Sequence, residues 1–353
     1  PDSAVRRWFV QESGETRFVL WDIAWQGILE RPLLGWGLEN YPDVFQTYYD
    51  PCLGSPACGG EVWFDRAHNS LLDVLVESGV VGLGLYVSLF AVAVLKLWRA
   101  LKRDIIPPTV FALLISVLAA YVVQGLTVFD TLSSVLSWLV LLGFIATIDF
   151  QSAKDVPPQR RGRRLALAVV ATILLPFTLY WFVVTPALGN KATWDVKDAT
   201  LLSKRVVAYE KAVTVSRQGI DLRRSILAAQ TTTFILDLSD EQIASSPTLL
   251  QRELRLSEQG LLQTIQSHPT FIRAYFDLGF LYQAWAARFD ESKLVQAEDV
   301  LLDAVARFPN NPLSSWALVG VYLDEGKFVE ALELADRALA LDPRVKNSQL
   351  RYL

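Results

Sequence analysis

The stretch Asp65-Arg66-Ala67-His68-Asn69-Ser70-Leu71-Leu72-Asp73 marks the point where a polar, aromatic-rich segment gives way to a long apolar run. Ser70 and Asp73 have the spacing of a capping box, which predicts a helix starting at Ser70. His68 and Asn69 would then stand just before a helix N-terminus. That end carries free N–H groups and partial positive charge, so it suits a phosphate. Asn69, Asp73 and Glu77 recur every four residues and form a polar stripe on the first turns. Histidine occurs only twice in the chain, and His268 lies beside Pro269 in a turn, which reads as structural.

Downstream of this point the apolar residues gather in four runs, at about 80–97, 109–128, 132–148 and 165–184. Each approaches the ~20 residues that a bilayer-spanning helix needs. Lys96, Arg99, Lys102 and Arg103 close the first run, and Lys154, Arg160, Arg161, Arg163 and Arg164 precede the fourth. Short basic loops stay in the cytoplasm. The spans therefore run inward, outward, inward and outward. His68, Asp130 in the Phe129-Asp130-Thr131 break, and everything after Pro186 are expected outside the cytoplasm.

Upstream, residues 1–14 read as a polar approach segment, and the pattern is helical from Glu15 to about Glu30. Arg17, Trp21, Ala24, Trp25 and Ile28 share one face at helical spacing, with Arg17 able to lie over the Trp21 ring. Pro32 stops the helix and Gly35-Trp36-Gly37 makes a flexible turn. An aromatic loop follows, with Tyr41, Phe45, Tyr48, Tyr49, Trp63 and Phe64. Most of these rings are expected to pack the loop against the membrane interface, with stacking on sugar faces as the sharper alternative. Cys52 and Cys58 lie close together in this loop. A disulfide is the expected state outside the cytoplasm, and a zinc site with His68 lacks a fourth ligand at suitable spacing.

Composition agrees with a membrane portion joined to a soluble one. Hydrophobic residues make up 52% of the 353, and mean hydropathy is +0.29, but the C-terminal third is polar and helical in pattern. A net charge of -4 argues against a nucleic-acid partner. The chain starts at Pro1, which suggests the C-terminal piece of a longer protein. Pro309 and Pro343 stand 34 residues apart, the tetratricopeptide period. Leu318, Tyr322, Gly326, Phe328, Ala331 and Ala338 fall at key positions of the last unit. Leu278, Gly279, Tyr282, Ala297 and Ala304 do so in the unit before, with an insertion around residues 287–293. The fold class is thus all-α. It comprises a membrane helical bundle portion with an extracytoplasmic loop subdomain (1–78, then 79–185), followed by a soluble tetratricopeptide-like solenoid (190–353).

The order Arg17-x3-Trp21, Pro32-Leu33-x-Gly35-x-Gly37, Ala67-His68-Asn69-x-Leu71-Leu72 and Glu77-x-Gly79-x2-Gly82-x3-Tyr86 resembles the C-terminal conserved region of the O-antigen ligase and polymerase family. The resemblance covers roughly residues 15–150. It implies a bacterial, multi-pass, metal-independent membrane glycosyltransferase without a cofactor. Its donor would be a polyprenyl-pyrophosphate-linked glycan, and its acceptor a glycan, lipid or protein outside the cytoplasm. By position, Arg17 matches the family's loop arginine, His68 its loop histidine, and Asp130 more loosely an aspartate at the outer end of a later span.

The chemistry needed is simple to state. A base takes the proton from an acceptor hydroxyl, for which a neutral His68 is suited. Guanidinium groups meet the charge gathering on the leaving pyrophosphate, for which Arg17 and Arg66 are suited. Asp130 could orient the histidine or an arginine, and Asn69 and Trp21 complete the expected substrate contacts. The bland alternatives are an interfacial Arg17 or one paired with Glu15 or Asp22, an Arg66 paired with Asp65 or Glu61, and a capping His68. A different class of function, a membrane-anchored repeat scaffold that recruits a protein partner, also fits the pattern.

Overall fold

A computed structural model describes residues 14–54, 58, 63–148, 158–199 and 201–341. Residues 1–13, Glu61, Lys154 and Pro343 lie outside the described residues, as do the side chains of Glu15, Arg160, Arg161, Arg163 and Arg164. Among the described residues every regular element is helical, and the chain divides at residue 162 into two compact units.

In the first unit, α1 (Gly14–Glu30) presents Leu20, Ile23, Ala24, Gly27 and Ile28 to the interior. The inward stripe is rotated from the expected one, leaving Trp25 51% exposed. Gly27 is required there because an added Cβ would meet Val44 Cγ1 at 2.3 Å. Short α2 (Tyr41–Thr47), with Pro42 in its first turn, replaces part of the expected aromatic loop. Tyr41, Phe45, Tyr49 and Phe64 are buried with α1 in one cluster, and the Tyr41 hydroxyl donates to Leu20 O at 3.1 Å. These rings are core, which leaves them unavailable for stacking on sugars. Cys52 and Cys58 are joined by a disulfide, so neither sulfur is a thiolate ligand for a metal.

α3 (Ser70–Lys102) starts at the expected residue but is capped differently. Asn69 is the N-cap, its Oδ1 accepting from Leu71 N at 3.0 Å and Leu72 N at 3.2 Å. Asp73 instead reaches back to Ala67 N at 2.7 Å. α4 (Pro108–Gly125) and α5 (Leu132–Thr147) pack on α3 through Phe90, Tyr121 and Trp138. Trp138 stacks on Phe90 at 4.2 Å and on Tyr121 at 5.0 Å.

Among the described residues three helical runs are long and apolar enough to cross a membrane: Ser70–Lys102, Pro108–Gly125 and Val169–Asp198. Four were expected. α5 has 16 residues, about 24 Å at 1.5 Å per residue, short of a hydrocarbon core of about 30 Å.

The second unit opens within α6 (Pro158–Leu179), which runs through a π-helical turn (Tyr180–Val184) into α7 (Thr185–Asp198). There follow α8 (Leu202–Thr214), α9 (Ile220–Asp237), α10 (Asp240–Ser245) and α11 (Pro247–Ser267). The last four are α12 (Ile272–Arg288), α13 (Lys293–Arg307), α14 (Pro312–Asp324) and α15 (Phe328–Leu341). α12 packs on α13 and α14 on α15, with Leu278, Leu301, Leu318, Ala331 and Leu334 in one continuous core. His268 pairs with Asp221 at 2.6 Å, in keeping with a structural place.

A buried ion pair crosses this core. Arg205 Nε meets Glu253 Oε1 at 2.7 Å, and Thr231 donates to the same oxygen at 2.9 Å. The two side chains are 3% and 1% exposed. Removing one charge leaves the other unpaired in a low dielectric, so Glu253→Gln is expected to cost about 3 kcal/mol. Coupling it to Arg205→Met should recover most of that loss. Chemical denaturation followed by the helical circular-dichroism signal measures both.

Asp277 on α12 is the matching titratable case. Burial pushes its carboxyl up to about 6, against the Ser225 hydroxyl that donates to it and the Arg273 charge. The folded state therefore favours the protonated acid. The penalty is absent below about pH 4, grows as pH rises toward 6, and is constant above. Asp277→Asn should match the parent's stability at pH 4 and exceed it by about 3 kcal/mol at pH 7.5. Equal stability at both pH values would refute this.

Candidate functional site

Two sequence-distant loops build the site around His68. The first is the approach to α3. His68 has φ of 57°, in the left-handed region that few side chains adopt, and Asn69 returns to extended backbone before the helix begins. This reversal stands the imidazole away from the helix axis, with Nδ1 3.2 Å from the Arg66 carbonyl oxygen. A carbonyl can only accept, so Nδ1 carries the proton. Nε2 of the neutral ring then holds the free lone pair.

The second loop joins α4 to α5. Asn69 Nδ2 donates to Leu126 O at 3.2 Å and Ser70 Oγ to Val128 O at 3.1 Å. These bonds fix Phe129, whose ring meets the imidazole edge-on at 5.0 Å, and Phe64 meets it edge-on at 5.8 Å. His68 touches both rings yet remains partly exposed.

The stripe Asn69, Asp73 and Glu77 faces inward and is buried. Each member positions a backbone or a cation: Asn69 the helix start and the second loop, Asp73 the Ala67 N–H, Glu77 the Arg66 guanidinium. Arg66 departs from its expected use. Its Nη1 binds Glu77 at 2.7 Å and its Nη2 binds Glu39 at 2.5 Å, so both ends of the fork already hold carboxylates. Burial opposes the Arg66 charge, but these two carboxylates outweigh it and hold the guanidinium firmly protonated. Among the described residues its partners are these two and not Asp65, which was one of the alternatives.

Arg17 on α1 is partly buried and forms no ion pair among the described residues. It does not cover Trp21, whose ring meets Phe18 edge-on at 5.5 Å and whose buried Nε1 has no partner. Among the described residues of this unit, the guanidinium that lies on an indole is Arg31, 4.0 Å above Trp36. Thr16, next to Arg17, donates to Cys58 O at 2.5 Å and ties the start of α1 to the disulfide loop. Asp130 accepts from Tyr121 at 2.8 Å and from Ser134 at 3.2 Å, so these groups, and not His68 or an arginine, engage its Oδ1.

Sequence reasoning missed Phe64 and Phe129 as the walls around the imidazole, and Glu39 as a partner of Arg66. It also missed a clasp below the site. α3 breaks at Gly79, with φ of 64°. The break exposes backbone groups that the Pro32–Gly37 turn takes up. Trp36 N donates to Val76 O at 2.8 Å and Gly37 N to Glu77 O at 2.9 Å. Val80 N donates to Pro32 O at 2.9 Å and Val81 N to Leu33 O at 3.3 Å. The turn is thus fixed, not flexible.

Among known families, the model described as O-antigen ligase (Wzy_C) matches residues 3–87. The match takes in α1, the clasp and His68, and ends within α3, short of Asp130. Comparison with the curated proteins and with the solved structures finds no match.

Proposed function

We propose that the chain is part of a membrane glycosyltransferase of the O-antigen ligase or surface-polysaccharide polymerase type. The observation that carries this reading is the place of His68: its Nδ1 lies 3.2 Å from the Arg66 carbonyl oxygen on a partly exposed ring, which leaves Nε2 as the nitrogen turned to an acceptor hydroxyl. In the proposed step the acceptor hydroxyl oxygen attacks the anomeric carbon of the lipid-linked sugar. The bond from that carbon to the pyrophosphate oxygen breaks, the polyprenyl pyrophosphate leaves with the electron pair, and Nε2 of His68 takes the hydroxyl proton. Displacement from the opposite face inverts the anomeric centre.

Arg17 is the cation assigned to the leaving pyrophosphate, from its place in the matched segment. Arg66 acts through position: its ion pairs with Glu39 and Glu77 hold the carbonyl that fixes the imidazole. Asp130 supports the Phe129 loop through Tyr121 and Ser134. Asn69 orders the same loop, and Trp21 stays a candidate sugar contact through the accessible part of its ring. In this reading residues 1–78 form an extracytoplasmic loop subdomain and 79–185 the membrane portion, facing the outer side of the bacterial cell membrane.

The helices from 190 onward fit a tetratricopeptide-like array that meets a protein partner or a protein acceptor. Paired helices and the positive-φ turn at Gly326 favour this reading. The deciding test is glycan transfer from a polyprenyl pyrophosphate donor in membranes carrying the full-length protein or its His68 variants. Unchanged surface glycan in those variants would favour a scaffold.

A further inference from the structure

The second unit contains a cavity of about 540 Å³ between α7 and the start of α9. We propose that this cavity binds an acidic sugar unit of a glycan. The inference rests on the proposed function for the choice of glycans as a class; the site itself is built from residues that the transfer step does not use.

Its walls have the chemistry of sugar recognition. Trp194 is 61% exposed and offers a flat apolar face, with Lys197 Nζ 5.3 Å from the ring centroid. Asn190 and Thr193 lie on the same helix and line the same space. Arg223 and Gln230 on α9 line the same space. A sugar hydroxyl donates and accepts at once. The aromatic face suits the C–H surface of a pyranose.

The rest of Arg223 is firmly placed. Its Nη1 donates to Ala212 O at 2.8 Å and Ser216 O at 3.0 Å, and its Nη2 to Gln218 O at 2.5 Å. Gly189 makes room for it, since a Cβ there would meet Nη1 at 2.6 Å. The cavity is therefore held by a cation that cannot swing away. Lys197 adds a second positive charge, and no carboxylate lines the space. That balance favours a uronate or similar acidic sugar over a neutral one.

The test is equilibrium binding of digalacturonate and of maltose to the full-length protein in nanodiscs, read by tryptophan fluorescence and saturation-transfer NMR. Digalacturonate should bind with a millimolar dissociation constant and at least fivefold more tightly than maltose. Trp194→Ala should weaken it more than tenfold with circular dichroism unchanged. Lys197→Gln should remove the preference for digalacturonate over maltose with the melting temperature unchanged, a pair of effects that a purely structural lysine would not give. Absence of digalacturonate binding, binding unaffected by Trp194→Ala, or a Trp194 signal that responds only to anionic lipid would overturn the proposal. Binding is read without transfer, so a failure here and a loss of activity in His68 variants are separate results.

Discussion

His68→Asn should lower glycan transfer by about a thousandfold, the range expected when a general base is removed. Asparagine is the informative replacement. It tolerates the left-handed backbone that His68 adopts at φ of 57°, and its amide can donate to the Arg66 carbonyl in place of Nδ1–H. It cannot accept a proton as Nε2 does. The fold, the N-cap at Asn69 and the docking of the Phe129 loop should all survive. Protein level and melting temperature should stay at parental values while transfer collapses. His68→Ala should lose as much activity and also some stability, because alanine is less at ease at positive φ and leaves a gap beside Phe64 and Phe129. Transfer measured with a radiolabelled lipid-linked glycan separates the cases. A His68→Asn protein retaining more than a tenth of parental activity would remove the imidazole from the chemistry.

What could be read from the sequence was local. The bounds of α1, its stop before Pro32 and the start of α3 at Ser70 follow from periodicity and from one proline. The Ser70–Asp73 spacing correctly marked a helix start but named the wrong cap, because Asn69 already supplied the Oδ1 that two N–H groups needed. α2 was hidden because Tyr41, Val44, Phe45 and Gln46 are all buried, so its seven residues carry little polar contrast. The site's walls were out of reach for a different reason. Phe129 meets His68 across 61 positions of chain and Glu39 meets Arg66 across 27, and nothing in local spacing encodes such a meeting. The same limit explains Arg66. Its charge suited a phosphate, but the fold had already given it two carboxylates.

Gly79→Ala should be the most damaging change to the fold of the first unit, at about 5 kcal/mol. Two causes add. A non-glycine residue at positive φ costs about 1 kcal/mol or more. The larger cause is steric: an added Cβ would sit 2.2 Å from Leu33 O and 2.6 Å from Leu34 N, both backbone atoms that no side-chain rotation can move. Relief requires the Pro32–Gly37 turn to leave α3, and four backbone hydrogen bonds at about 1 kcal/mol each go with it. Gly35 makes the same contact from the other side, its Cβ position lying 2.4 Å from Val76 O, so Gly35→Ala should act alike and the two losses should not add. Gly84→Ala is the control. It lies on the same helix with nothing within 4 Å of its Cβ position and should be neutral or slightly stabilising. Melting of the detergent-solubilised protein, followed by near-ultraviolet circular dichroism of the packed aromatic rings, reads all three. The consequence reaches His68 because Glu77, whose carbonyl binds Gly37 N, also carries the carboxylate that holds Arg66. Opening the clasp should therefore loosen the carbonyl that fixes the imidazole. A Gly79→Ala protein that melts within 2 °C of the parent and transfers glycan at the parental rate would show that the two glycine motifs do not form the support proposed for the site.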